Sequence, residues 1–284
     1  GLIPIEARSY ARAATVITAE EIERRNPRSF ADALRAVPGV SVSRSGGPGG
    51  TTAIRIRGGE SRHTLVLIDG VRVADSGLGA ELGNLSPDLI ERIEVLRGPQ
   101  SAIYGSGATT GVVNIITKGG VRGETRLTTS VEGATAPGGA ATALLQAGTA
   151  RASGALGLSF INDHGWDISG SGGEKDGRED LTLNARGEAD LTDFATLRAT
   201  ARYTDRRAEF DQENPGAGNR DDYISDVGAR RIEGEDLFGS VALDVRMLDG
   251  ALVHTPSLSY SSIDQFAFDA FPFGTQGSTT KARY

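Results

Sequence analysis

The carboxylates are the residues of this 284-residue chain most densely placed for chemistry. Glu174, Asp176, Glu179 and Asp180 share one Gly-rich stretch, and Asp211, Glu213, Asp221 and Asp222 share another. Hard cations such as Ca²⁺ draw several carboxylate and carbonyl oxygens from adaptable loops, so these side chains are the candidate calcium ligands. The competing reading is a set of hydrated surface carboxylates, because neither stretch has EF-hand spacing. His63, His164 and His254 are too scattered for a zinc pair on one helix. Gly105-Ser106-Gly107 followed by Gly111 lacks the Gly-Lys-Ser/Thr ending of a phosphate loop, and its spacing is not that of a dinucleotide site. No Gly-x-Ser-x-Gly elbow is present. An envelope hydrolase would need a nucleophile and a base, and no motif supplies them. Enzymatic readings therefore fail, and no cofactor is required; calcium is the one candidate, in the acidic loops.

Composition narrows the partners. A net charge of −7 and a pI near 5.1, with no basic run interleaved with aromatics, argue against nucleic acid. Cysteine is absent, which removes disulfides and thiolate metal sites. Thirty-nine glycines and only 38% hydrophobic residues favour turns and strands over helical bundles. No segment approaches the roughly 20 apolar residues of a membrane helix, so a membrane role would rest on β-strands.

Two regions of different character must position these residues. Residues 1–122 read as α+β. Thr18 and Glu21 form a capping box that opens a helix through Arg25. Ser29 and Asp32 repeat the signal before a helix containing Leu34, which Pro38-Gly39 stops. Ile54 and Ile56 alternate with Arg55 and Arg57 as in a strand. Leu65–Ile68 and Val71–Val73 flank Asp69-Gly70 as in a hairpin. Ser86-Pro87 starts a helical turn, and Ile93–Leu96 and Val112–Thr117 read as strands.

From residue 123 to 284 the pattern becomes long amphipathic strands. Leu181, Leu183, Ala185, Gly187, Ala189 and Leu191 alternate with Thr182, Asn184, Arg186, Glu188 and Asp190. Leu197, Ala199, Ala201 and Tyr203 do the same against Arg198, Thr200 and Arg202. One reading is a soluble antiparallel sheet with one wet face, giving a binding or scaffold protein with a β-sandwich. Strand lengths of about ten residues instead suit tilted membrane strands. Tight turns near 149–151, 192–193 and 249–250 alternate with long loops at 164–180 and 211–236, as in outer-membrane barrels. Pro256 predicts a bulge or register change between Leu252 and Ile263.

Six ordered blocks in the first region carry a family resemblance. They are Val16-Ile17-Thr18-Ala19-Glu20-Glu21-Ile22, Leu34 to Val40, Ile56-Arg57-Gly58 and Leu65 to Val71. Ile90 to Pro99, continuing through Tyr104-Gly105, and Gly111 to Thr117 complete the set. Together they resemble the plug domain of TonB-dependent outer-membrane receptors. The second region resembles them by strand pattern, most like the cobalamin-receptor branch.

The resemblance implies a plug at 1–122 inside an antiparallel transmembrane β-barrel of about 22 strands. Residues 123–284 are expected to supply about seven of those strands, leaving the barrel incomplete, in the bacterial outer membrane. It implies active uptake of a scarce large ligand: a ferric siderophore, cobalamin or haem. The implied partners are that metal chelate or corrinoid, outer-membrane lipid, and the TonB energy transducer. The TonB box is expected upstream, since nothing before Pro4 resembles it. In the family, loops at 44–52 and 74–84 point outward, which makes Arg44, Ser45, Asp75, Ser76 and Asn84 the implied ligand contacts. Within a polar lumen, Arg57, Arg92, Glu94 and Arg97 are the implied plug–barrel ion pairs. In some cobalamin receptors, loops at the positions of the acidic stretches are ordered by calcium.

Overall fold

The computed structural model describes residues 14–27, 29–44, 52–73, 85–133, 138–166, 175–209, 212–213, 224–225, 231–268 and 273–283. Strand β1 (Ala14–Thr18) runs directly into helix α1 (Ala19–Arg25). The capping box forms as expected: Thr18 Oγ1 accepts from Glu21 N, and Glu21 Oε2 accepts from Thr18 N at 3.2 Å. Ser29 likewise caps α2 (Phe30–Leu34), its Oγ accepting from Asp32 N. After the Pro38-Gly39 turn, β2 (Val40–Arg44) pairs antiparallel with β3 (Thr52–Ile56).

The hairpin of β4 (Thr64–Ile68) and β5 (Val71–Arg72) turns through Asp69 and Gly70, at φ 49° and 82°. Positive φ at both central residues matches the right-handed twist of the flanking strands. A 3₁₀ turn at Pro87–Leu89 opens on Ser86 and leads into β6 (Ile90–Arg97). Short α3 (Ser101–Tyr104) separates β6 from β7 (Gly111–Thr117). These strands form a five-stranded sheet in the order β1-β6-β7-β4-β5, with β4 and β7 parallel. Phe30, Leu34, Ile56, Ile93, Val95, Val113 and Ile115 are buried within this layer.

The second layer is one antiparallel sheet. It contains β8 (Thr125–Gly133), β9 (Gly138–Gly148), β10 (Ala152–Asp163), β11 (Arg178–Asp190) and β12 (Ala195–Glu209). Short β13 (Gln212–Glu213) and β14 (Ile224–Ser225) pair outside it. The sheet continues with β15 (Arg231–Met247), β16 (Leu252–His254), β17 (Ser257–Phe268) and β18 (Phe273–Arg283). Its order is β18-β17-β15-β12-β11-β10-β9-β8, with β16 also paired to β15.

This nine-stranded sheet exceeds the expected count of about seven, because β18 is rich in Gly, Ser and Thr and carries no apolar alternation to betray it. The long connections are shorter than expected, since β11 begins at Arg178 and β15 at Arg231. The strand pairing Val245↔His254 and Ala242↔Ser257 share one register, so Pro256 causes no slip. Its carbonyl still accepts from Leu243 N at 3.1 Å, which is the half of the ladder a proline can supply.

Burial in this sheet is inverted relative to a soluble protein. Leu156, Leu158, Leu181 and Leu183 are 61%, 42%, 37% and 46% exposed, whereas Thr182 and Thr204 are fully buried. On β10, β11 and β12 the polar or small face looks inward onto the first layer, and Leu156, Leu158, Leu181 and Leu183 look outward. In a soluble β-sandwich those leucines would pack on a second sheet, so that reading does not fit the structure. No described helix is long and apolar enough to cross a membrane, which does not bear on crossing by strands.

The inversion predicts that Leu183→Arg destabilises the folded protein in lipid by about 2–4 kcal/mol, as for cations on a barrel's lipid face near the midplane. Leu183→Val should cost far less. Denaturant unfolding in lipid vesicles measures both, and equal costs would contradict the orientation.

Candidate functional site: the seam between the two layers

The first layer sits on the inner face of β9, β10, β11, β15 and β17, and small residues set how closely. Ser153, Ala155, Gly157 and Ser159 face inward from β10. A side chain at Gly157 would place its Cβ 2.8 Å from Leu89 Cδ2, so the absence of one leaves room for Leu89. Leu85, Leu89, Leu144 and Ala155 thus join the core of the first layer. Beside them, Ser86 and Thr142 share a hydrogen bond of 3.3 Å between hydroxyls. A second apolar contact lies at the hairpin, where Val71 meets the inward-facing Phe238 and Ile263.

Between these contacts stands Arg186 of β11. Its Nη1 lies 3.4 Å from Glu91 Oε2 and 3.9 Å from Asp69 Oδ1, and it donates to the Thr117 carbonyl. Asp69 is itself fixed, accepting from Thr117 N at 3.0 Å and from Thr117 Oγ1 at 2.7 Å. Glu91 also pairs with Arg92. One guanidinium therefore ties the β4–β5 turn, the start of β6 and the end of β7 to the outer sheet. The pairs are partly exposed and so worth about 0.2–1 kcal/mol each.

Further along the inner face, Arg206 and Asp236 pair at 2.8 Å with both side chains almost wholly buried. Arg202 and Asp180 are buried beside them, and Arg178 Nε lies 3.6 Å from Asp180 Oδ2. At the tight-turn end, Arg198 holds Asp244 through two bonds of 2.7 Å. Arg122, on the segment joining the layers, donates to Glu188 and Asp190. Those bonds, the one to Asp190 foremost, hold its guanidinium above the ordinary arginine range.

The residues expected to join the layers occupy varied positions. Arg92 bonds Glu94 at 2.9 Å as well as Glu91, so it stands one step from Arg186. Glu94 also accepts from Asn114, and Arg97 donates to the Pro38 carbonyl and Thr15. Arg57, at φ 53°, donates its backbone N–H to Gly39 and lays its side chain beside Gly98. The partners described for these four lie within the first layer, and the described cross-layer ion pairs are those of Arg186 with Asp69 and Glu91. Only the inward alternation of β11 pointed to Arg186 in the sequence.

Of the expected ligand contacts, Arg44 donates to Ser29 Oγ at 3.2 Å, while Ser45, Asp75, Ser76 and Asn84 lie outside the described residues. Glu174, Asp211, Asp221 and Asp222 lie outside them too. Asp176 is 1% exposed, and Glu179 and Asp180 point to opposite sides of β11 as neighbours on a strand must. Among the described residues no three His, Asp or Glu side chains are grouped to hold a metal.

Known proteins resemble this chain most clearly over its first layer. The family described as TonB-dependent Receptor Plug Domain matches residues 6–112. The vitamin B12 transporter of Vibrio vulnificus (strain CMCP6) is 45% identical over 103 residues, which are 36% of this chain and 17% of the relative. Residues 6–112 carry the signature of a TonB-dependent receptor plug domain. A variant of the ferric enterobactin receptor of Pseudomonas aeruginosa aligns with TM-score 0.72 at 22% identity, covering 99% of this chain and 47% of that one. The alcaligin outer-membrane receptor of Bordetella pertussis gives 0.71 at 17%, covering 95% and 42%.

These two likenesses show the fold: a plug packed on antiparallel barrel strands. The chain spans under half the length of these two receptors. Receptors of this family are outer-membrane proteins, and the exposed apolar band of the barrel strands agrees with that location.

Plug seating should depend more on fit than on charge. Gly157→Leu should displace Leu89 and speed proteolysis of the plug at least tenfold in the receptor in detergent. Arg186→Gln, losing roughly 1 kcal/mol of exposed pairing, should speed it about fivefold or less. The reverse order would show that the ion pairs carry the seat.

Proposed function

We propose that this chain is the plug and adjoining barrel strands of a gated outer-membrane receptor that takes up a scarce, large ligand by active transport. The observation that carries the reading is the plug seated on the polar inner face of an outward-apolar sheet. A barrel filled in this way excludes diffusion and needs an input of work to open. Transport, rather than catalysis, is the chemistry of the relatives: a vitamin B12 transporter and siderophore receptors. The substrate class is accordingly a ferric siderophore or other metal chelate, or a corrinoid.

In this reading the plug comprises residues 1–122 and the barrel begins at 123. Ligand meets the plug near Arg44, Ser45, Asp75, Ser76 and Asn84, and calcium on the acidic loop residues stiffens the surrounding loops. The energy transducer acts on the plug from the tight-turn end. β8 and β18 are the edges at which further strands of a closed barrel pair, as lipid requires of every strand edge.

The test is uptake by cells carrying the full receptor, using radiolabelled cobalamin and ferric siderophores in parallel. One ligand should accumulate, and accumulation should stop when the proton-motive force is dissipated or the transducer is deleted. Accumulation that ignores both would show a passive pore.

A further inference from the structure

The segment that joins plug to barrel is fastened to the wall more tightly than the plug itself. At residues 118–124 the backbone lies flush against β9 and β10. A Cβ at Gly120 would fall 2.6 Å from Gly154 O, and one at Gly148 would fall 2.9 Å from Arg122 Cα. Neither contact leaves room for a side chain, so backbone rests on backbone. Hydrogen bonds close the gap: Gln146 Nε2 donates to the Gly119 carbonyl, and Gly148 N donates to the Glu124 carbonyl at 3.0 Å. Arg122 then spans the turn end, donating to Ala150 O at 3.2 Å, to Glu188 at 3.2 Å, and to Asp190.

The Arg186 latch is built differently. Its ion pairs are 3.4 and 3.9 Å long, and among the described residues a single bond from its guanidinium to the Thr117 carbonyl is its hold on backbone, with no backbone-on-backbone contact beside it. Glu188 lies only two residues beyond Arg186 on β11, so both attachments share one strand. The opposite end of the plug is different again, since among the described residues β1 is an edge strand bonded within its sheet to β6 alone.

We propose that residues 118–124 are a fixed anchor: during transport the Arg186 latch releases while the Arg122–Glu188–Asp190 attachment stays made. The plug then stays tethered to β9–β11 at its carboxyl end, and the path for ligand opens on the side away from that wall. Arg122 is a positioning residue here and touches no ligand. This inference rests on the transport reading above.

Reversible cross-linking of the full receptor in cells tests it. Side chains this long do not place two Cβ atoms at disulfide distance by rule, so a short bis-methanethiosulfonate bridge is the reagent. The Arg122→Cys/Glu188→Cys pair, once bridged, should take up ligand within twofold of the same cells after reduction. The Asp69→Cys/Arg186→Cys pair should lose at least tenfold on bridging and recover on reduction. Loss of uptake on bridging the first pair, regained on reduction, would overturn the anchor.

Hydrogen exchange on the unmodified receptor with ligand and a soluble transducer fragment gives a second readout needing no variant. The Gly148 amide should keep its protection while β1 loses protection, and equal loss at both would overturn the anchor. Absence of energised uptake by unbridged and wild-type receptors alike would instead count against the transport reading.

Discussion

A strand that crosses hydrocarbon must give every backbone N–H and C=O a partner within its own sheet, because no water is present to replace one. Between its edge strands β8 and β18 the outer sheet meets that demand with a continuous antiparallel ladder, held in one register across Pro256. Once the backbone is spoken for, the two-residue period sorts the side chains. Leu156, Leu158, Leu181, Leu183 and Val241 face out, and Thr182, Asn184, Arg186 and Arg202 face in, with Leu144, Phe238 and Ile263 as apolar exceptions that meet the plug. An inner face built from such residues can be filled only by something that answers hydrogen bonds and charges. The plug does so.

How the plug answers explains how it can be both secure and movable. It has a continuous apolar core around Ile93, Val95, Val113 and Ile115, which Leu144 and Ala155 of the outer sheet extend at one edge. Its attachment is a handful of small contacts: Leu89 over Gly157, Val71 against Phe238 and Ile263, and the ion pairs of Arg186. Partly exposed pairs of this kind contribute little each and exchange readily with water. Buried Arg206 and Asp236 are a different case, since removing one partner would strand a charge at a cost of about 3–5 kcal/mol. The structure thus places its costly charge pair within the barrel wall and its weaker ones on the seam.

Local signals made the plug legible. The Thr18–Glu21 box, the Ser29 cap and the Asp69-Gly70 turn each follow from chemistry within a few residues, and all three formed as expected. The barrel strands were legible where leucine alternated with polar groups, as in β11, and hidden where it did not, as in β18. The seam was the hard part. Arg57, Arg92, Glu94 and Arg97 stood out as charges beside strand ends, yet their described partners lie on the plug. The alternation of β11 puts Arg186 on the inward face but does not set it apart from the other polar residues there. Which of several inward arginines meets the plug depends on register between layers, which no local pattern encodes. The one usable clue was Ser153, Ala155, Gly157 and Ser159 facing inward on β10. Small side chains on a polar lumenal face mark where another layer comes close.

The central claim is that the apolar face of these strands meets lipid while the polar face meets the plug. Spin labels placed one at a time along 181–186 of the full receptor in vesicles test it most directly. Relaxation by oxygen, which concentrates in lipid, should be high at 181, 183 and 185 and low at 182, 184 and 186. The even positions should also show the restricted motion of a plug contact. Uniform accessibility along the strand, or the opposite alternation, would contradict the account.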